Sequence, residues 1–76
     1  MREQILEILT DIRPDIDFEK ETKLIDDKIL ESFDIITIVG ELNDAFDIEI
    51  GPKELIAENF NSLDALTEMV DELVNG

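Results

Sequence analysis

A chain of 76 residues is long enough for one small domain. It contains no cysteine and no histidine, so neither disulfide bonds nor thiolate metal sites can stabilise that domain. With 6 basic against 21 acidic residues, the formal net charge of −15 argues against binding to nucleic acids or anionic membranes, since both require a basic face. The hydrophobic content of 43% argues against disorder, so we expect one folded domain over residues 1–76 with basic protein surfaces as its partners.

Apolar residues recur at helical spacing over the first twelve positions and predict a first helix from Arg2 to Asp11 or Ile12. Pro14 prevents the helix from continuing. Residues 14–29 show no steady period, and we predict a long loop attached to the core by scattered apolar side chains. These side chains are Ile16, Phe18, Leu24, Ile25 and Ile29.

A second helix is predicted from about Phe33 to Phe46, with Ser32 at its first turn. Apolar residues at positions i, i+3, i+4, i+7 and i+11 give this helix one inner stripe. The stripe consists of Ile35, Ile38, Val39, Leu42 and Phe46. Residues 46–50 then alternate apolar and acidic side chains as a strand would, but no second strand is available, so we predict an extended loop.

Pro52 suits the first position of a helix, and a short third helix is predicted from Lys53 to Ala57 or Glu58, with Leu55 and Ile56 packed inward. The fourth helix is predicted to begin at Asn61 as its cap. The inner stripe of this last helix consists of Leu63, Leu66, Val70 and Leu73. The sequence therefore predicts an all-α bundle of three longer helices and one short helix.

Ser32 stands where the first N–H groups of the second helix have no partner within the helix. A hydroxyl at this position is either an N-cap or a place to attach an anionic group such as a phosphate ester. Phe33 and Ile36 lie off the inner stripe and would form an exposed apolar spot, which can mark a contact surface. Acidic residues surround this spot, namely Glu31, Asp34 and Glu41. Residues 29–52 contain six acidic residues and no basic one, so the electrostatic potential around the second helix would be negative.

Four segments around Ser32 form a recognisable pattern. They are Leu24-Ile25-Asp26, Leu30-Glu31-Ser32-Phe33, Ile38-Val39 with Leu42, and Phe46-Asp47-Ile48-Glu49-Ile50. With these segments the chain resembles the phosphopantetheine-dependent carrier proteins (acyl, peptidyl and D-alanyl carriers) over essentially all of its 76 residues. It departs from the family pattern in having Glu31 for aspartate, Phe33 for leucine or methionine, and Lys28-Ile29 where a glycine is common. The Ile29-Leu30 approach is more similar to D-alanyl and peptidyl carriers than to fatty-acid carriers.

The resemblance implies an acyl-carrier-like fold in which Ser32 carries 4′-phosphopantetheine, covalently attached from coenzyme A by a separate phosphopantetheinyl transferase. The thiol of that arm would hold an acyl or aminoacyl group as a thioester, and the carrier itself would not be an enzyme. A loading ligase and downstream transferases with basic docking patches would bind the acidic second helix. The contact residues implied by position are Glu31, Phe33, Asp34, Ile36, Glu41 and Asp44.

An unmodified acidic interaction domain, acting as a decoy or inhibitor of a basic protein, is the alternative function. Acidic residues alternate over positions 15–19, but an EF-hand loop starting there would place Lys20 and Asp26 where glycine and glutamate are required. We therefore expect no dedicated metal site, and nothing in the sequence indicates catalytic residues. The N-terminal residues do not form a secretory signal and no apolar run approaches the ~20 residues of a membrane span, so we expect a cytoplasmic monomer.

Overall fold

Four α-helices make up the regular structure of the protein, which a computed structural model describes over residues 1–76. They are α1 (Arg2–Ile12), α2 (Ser32–Phe46), α3 (Ala57–Phe60) and α4 (Leu63–Asn75). The chain forms no strand, and the predicted all-α bundle of three longer helices and one short helix is confirmed. None of these helices combines the length and the apolar character that crossing a bilayer requires.

Helix α1 packs against both α2 and α4 along its predicted apolar stripe. Ile5 and Leu9 are fully buried. Ile8 and Ile12 pack against the core from its edge. The helix ends two residues before Pro14, which has no N–H to continue the hydrogen-bond ladder. The predicted boundaries of this helix are therefore confirmed.

Helix α2 directs its predicted stripe into the bundle, with Ile38 and Leu42 fully buried. It ends at Phe46, where Asp47 adopts the left-handed conformation with a φ of 52°. The Asp47 N–H binds the carbonyl of Asn43, so the last turn is closed in the manner of a helix C-cap. The residues from 48 to 51 then run as the predicted irregular connection.

Thirteen buried apolar side chains form one core, to which all four helices and the long loop contribute. They are Ile5, Leu9, Phe18, Leu24, Leu30, Ile38, Leu42, Ile50, Phe60, Leu63, Leu66, Met69 and Val70. The predicted attachment of the loop is confirmed, because Phe18 and Leu24 lie inside this core. The other predicted anchors are partly buried against it, namely Ile16, Ile25 and Ile29.

The short third helix lies later in the chain than the sequence predicts, so the helix expected from Lys53 to Ala57 or Glu58 is wrong. Pro52 begins a turn instead, closed by a 3.2 Å hydrogen bond from the Leu55 N–H to the Pro52 carbonyl. Ile56 is extended, with φ −119° and ψ 151°, and α3 starts only after it. Leu55 and Ile56 are each 48% exposed rather than packed inward.

The N-cap of α4 is Ser62, one residue after the predicted cap. The Ser62 hydroxyl accepts the Ala65 N–H at 3.1 Å. The side chain of Asn61 points to the long loop instead, where it has other hydrogen-bond partners. The predicted stripe of α4 is confirmed as Leu63, Leu66 and Val70 in the core with Leu73 at its edge, and the buried Met69 joins it.

Replacing Gly40 with alanine is expected to stabilise the protein by about 1 kcal/mol, the usual difference in helix propensity between the two residues. Gly40 lies in the middle of α2 and is exposed, and a Cβ atom there would meet no atom within 4 Å. Urea denaturation would measure the gain. The reverse exchange on the same helix, Ala45→Gly, should lower the stability, and a loss on Gly40→Ala would contradict the open space seen around this residue.

Candidate functional site at the start of helix α2

Ser32 is the first residue of α2 and lies on the surface. The N-cap is Glu31, whose φ of −98° and ψ of 166° are those of an extended residue. The Glu31 N–H is bound by the carboxylate of Asp34 at 3.1 Å, whereas the Ser32 hydroxyl forms no hydrogen bond with the protein. The interpretation of Ser32 as a cap is therefore wrong, and its hydroxyl is free for another role.

Asp34 is the one buried charged side chain of the protein, with 8% of its surface exposed. Its Oδ2 atom accepts a hydrogen bond from Arg13 at 2.6 Å as well as the one from the Glu31 backbone. A carboxylate can be buried at low cost only when such partners replace water. Asp34 therefore serves the structure of the first turn, and the prediction that it belongs to an exposed acidic rim is wrong.

Arg13 joins two carboxylates at the end of α1. Besides Asp34, it binds both oxygens of Asp15, at 3.0 Å through Nε and 2.8 Å through Nη2. The hydrogen bonds that Arg13 donates to Asp15 and Asp34 raise the pKa of the guanidinium, which stays charged at every accessible pH. The hydrogen bond from Arg13 also holds the pKa of Asp15 below its ordinary value, so this pair breaks only as the pH falls below that value.

The predicted apolar spot beside Ser32 is fully presented to solvent. Phe33 is 77% exposed and Ile36 is 71% exposed, the largest values among the large apolar side chains. Three acidic residues near this spot are exposed as well, namely Glu31 just before α2 and Glu41 and Asp44 on the helix. We call Phe33, Ile36 and these three acidic residues the α2 face. An exposed apolar spot with acidic residues around it can mark a contact surface.

A small apolar cavity of about 110 Å³ opens between α2, α3 and the long loop. Its lining is entirely hydrophobic and consists of Ile25, Ile35, Leu55, Ile56, Ala57 and Phe60. Ile35 lies three residues after Ser32, so one wall of the cavity begins within one helical turn of the serine. Sequence reasoning missed this cavity because it placed Leu55 and Ile56 inside a helix.

Known proteins are similar to nearly the whole chain. The D-alanyl carrier proteins of Lactococcus lactis subsp. cremoris strains MG1363 and SK11 are 33% identical to it, over 95% of this chain and 94% of their own lengths. The D-alanyl carrier protein of L. lactis subsp. lactis strain IL1403 is 32% identical over the same shares. The chain belongs to the phosphopantetheine-dependent carrier proteins. A comparison with protein-family models found no match.

In a carrier protein, a second protein must be able to reach the attachment residue. Ser32 meets this requirement because it is exposed and its hydroxyl is not engaged. The first N–H groups of α2 also lack partners within the helix, which gives that end a partial positive charge suited to a phosphate ester. The chemistry of the site therefore fits a phosphopantetheine arm on this serine.

The loop before Ser32 is held by Asn61, which was predicted to cap the fourth helix. The Asn61 side-chain oxygen accepts the N–H groups of Ile25 at 2.9 Å and of Asp26 at 3.1 Å. The backbone of Leu24 then accepts the N–H groups at positions 29 and 30, which closes the loop just before the serine. No local pattern could indicate this role, since Asn61 lies 36 residues after Ile25 in the chain.

Lys28 completes that closed loop in the left-handed conformation, with a φ of 58°. Many carriers are expected to have a glycine near this position, and glycine adopts positive φ without steric cost. The family resemblance implies a glycine near this position, and this chain has Lys28 there instead. A residue with a Cβ is held in a disfavoured conformation four positions before Ser32.

Proposed function

We propose that this carrier protein holds 4′-phosphopantetheine on the Ser32 hydroxyl and presents a thioester-bound cargo to partner enzymes. The observation that carries the proposal is the placement of Ser32, exposed at the first residue of α2 with a hydroxyl that no protein group binds. The relatives named as carrier proteins support the same function. The chain would catalyse no reaction itself.

Attachment would form a bond between the Ser32 oxygen and the phosphorus of coenzyme A that bears the pantetheine. The serine proton would leave to a base of the phosphopantetheinyl transferase, and 3′,5′-ADP would be released. The unpaired N–H groups at the start of α2 would then face the new phosphodiester. When bound, the arm supplies the thiol that forms the thioester, which the protein lacks because it contains no cysteine.

An aminoacyl group such as D-alanine is the cargo that the relatives favour, because they are named D-alanyl carrier proteins. The Ile29-Leu30 approach to Ser32 favours the same branch of the family. A loading ligase and downstream transferases would be the partners, with coenzyme A and these enzymes meeting the carrier in the cytoplasm.

The α2 face is the proposed docking surface for those partners. It combines the two exposed apolar side chains, Phe33 and Ile36, with exposed acidic residues at Glu31, Glu41 and Asp44. Such a surface complements a partner with an apolar patch and basic residues around it. Asp34 is not included, because it is buried and bound to Arg13.

The test of this function is intact mass after incubation with coenzyme A and a broad-range phosphopantetheinyl transferase. The wild-type protein is expected to gain the mass of one arm, and Ser32→Ala should gain none. Because the Ser32 hydroxyl forms no hydrogen bond, Ser32→Ala should change the free energy of unfolding by less than ~0.5 kcal/mol.

The matched control is the other serine of the chain. Ser62→Ala removes the N-cap of α4 and should cost about 1 kcal/mol of stability, yet this variant should still accept the arm. A wild-type mass that stays unchanged under conditions that convert a known carrier would refute the proposal. An unmodified acidic interaction domain would then be the better description.

A further inference from the structure

Three segments that surround Ser32 converge on the guanidinium of Arg13. Arg13 follows the last residue of α1. Its Nη1 atom donates to Asp34 in the first turn of α2 at 2.6 Å and to the Ile29 carbonyl in the long loop at 3.5 Å. Its other nitrogens bind Asp15 on the far side of Pro14. One side chain thus connects α1, the loop and the start of α2.

The connection continues from Asp34 to the residue next to the serine. The oxygen of Asp34 that accepts from Arg13 is Oδ2, and the same oxygen accepts the backbone N–H of Glu31. Glu31 is bonded directly to Ser32. Because the Ser32 hydroxyl has no hydrogen bond of its own, its position depends on the backbone of this turn.

We propose that Arg13 is a positioning residue for Ser32, holding the first turn of α2 through Asp34 in the orientation in which the serine hydroxyl accepts its phosphopantetheine arm. The proposal rests on the proposed function of Ser32 and adds a residue that does not touch the arm. It relies on the burial of Asp34 and on the shared oxygen atom, which a surface ion pair would not show.

Positioning and simple stabilisation predict different kinetics when the carrier is the varied substrate of the transferase. The α2 face is unchanged in Arg13→Gln, so the transferase should bind the folded variant normally. A serine that is displaced or mobile then lowers kcat by about tenfold or more while KM stays within about twofold. Partial unfolding instead lowers the concentration of usable carrier, which raises the apparent KM and leaves kcat unchanged.

Arg2→Gln is the control for removal of a guanidinium, because Arg2 lies at the other end of α1 and forms an exposed 2.9 Å ion pair with Asp64. Arg2→Gln also replaces an arginine with a glutamine, but Arg2 forms no ion pair with a residue of α2. Its kcat should therefore stay within about twofold of the wild type. Asp15→Asn is a second control, since it removes the other carboxylate of Arg13 and leaves the contact with Asp34 intact. Its kcat should also be close to that of the wild type.

Two further variants keep the test decisive if Arg13→Gln folds poorly. The double variant Arg13→Gln/Asp34→Asn leaves no unpaired buried charge, so it should be folded while its kcat remains low. Arg13→Lys keeps one cationic donor for Asp34 and should recover part of the lost kcat. A double variant that is folded and transfers the arm at the wild-type kcat would overturn the inference, as would a rise in KM alone for Arg13→Gln. If wild type and Arg2→Gln are not modified at all, the proposed function of Ser32 fails instead.

Discussion

Leu42→Ala is expected to lower the free energy of unfolding by about 2–5 kcal/mol, the range found when a fully buried leucine is truncated. Leu42 is completely inaccessible to solvent in the middle of α2, where its side chain contributes to the single core. A domain of this size has a total stability of about 4–11 kcal/mol. The substitution should therefore remove a large fraction of that stability, which urea denaturation followed by circular dichroism would measure.

Ile36→Ala is the matched control for Leu42→Ala, since it truncates an aliphatic side chain on the same helix. Ile36 is 71% exposed, and its truncation should change the stability by less than ~0.5 kcal/mol. The same variant should weaken binding to the proposed phosphopantetheinyl transferase, because Ile36 belongs to the proposed docking surface. Equal losses of stability for the two variants would contradict the orientation of α2.

Asn61→Ala is expected to lower the free energy of unfolding by about 2–3 kcal/mol, because three hydrogen bonds of about 1 kcal/mol each are lost. The side-chain oxygen of Asn61 is the acceptor for the N–H groups of Ile25 and Asp26, and its nitrogen donates to the Asp26 carboxylate at 3.2 Å. Alanine can replace none of these bonds. Hydrogen exchange should show faster exchange at residues 25 and 26 than in the wild-type protein.

Two variants separate this role of Asn61 from a general effect of losing an amide. Asn59→Ala removes a nearby asparagine that donates one bond to the Glu54 carbonyl, and it should cost only about 1 kcal/mol. Asn61→Asp keeps the oxygen that accepts from the loop but opposes the charge of Asp26, so its stability should fall between that of the wild type and that of Asn61→Ala. A loss for Asn61→Ala no larger than that for Asn59→Ala would refute the special role of Asn61.

The sequence correctly predicts those features that depend on residues within one or two helical turns of each other. The stripes of α1, α2 and α4 give those helices their approximate extents and inner faces, as Leu42 and Val70 illustrate. The exposure of Phe33 and Ile36 follows from the same period, because both lie off the stripe of α2. Ser32 stands out for its place before that stripe.

The features that sequence reasoning misses depend on partners far away in the chain. Asp34 is acidic and close to Ser32, so the sequence predicts it in the exposed rim, but Arg13, 21 residues away in the chain, makes its burial possible. Asn61 and Ser62 are both suitable caps for α4. Ser62 is the cap, because the Asn61 side chain accepts hydrogen bonds from the long loop instead.

The error at α3 has a different cause, since a four-residue helix is too short to show a period. Pro52 is compatible with a helix start or with a turn, and nearby hydrogen bonds favour the turn. The Gly51 N–H donates a 2.9 Å hydrogen bond to the Glu54 carboxylate, and the Glu54 backbone carbonyl accepts one from the Asn59 side chain. These contacts delay the helix until Ala57.

The two sides of the apolar cavity are expected to differ in local stability, because α3 is only four residues long. A four-residue helix has no room for an internal i→i−4 hydrogen bond, so α3 depends on the buried Phe60 and on a few bonds at its ends. Ile35, on the opposite side, belongs to a fifteen-residue helix with a continuous ladder. Local opening of the bundle should therefore begin on the α3 side, while the α2 wall, on the helix that begins with Ser32, should keep its structure.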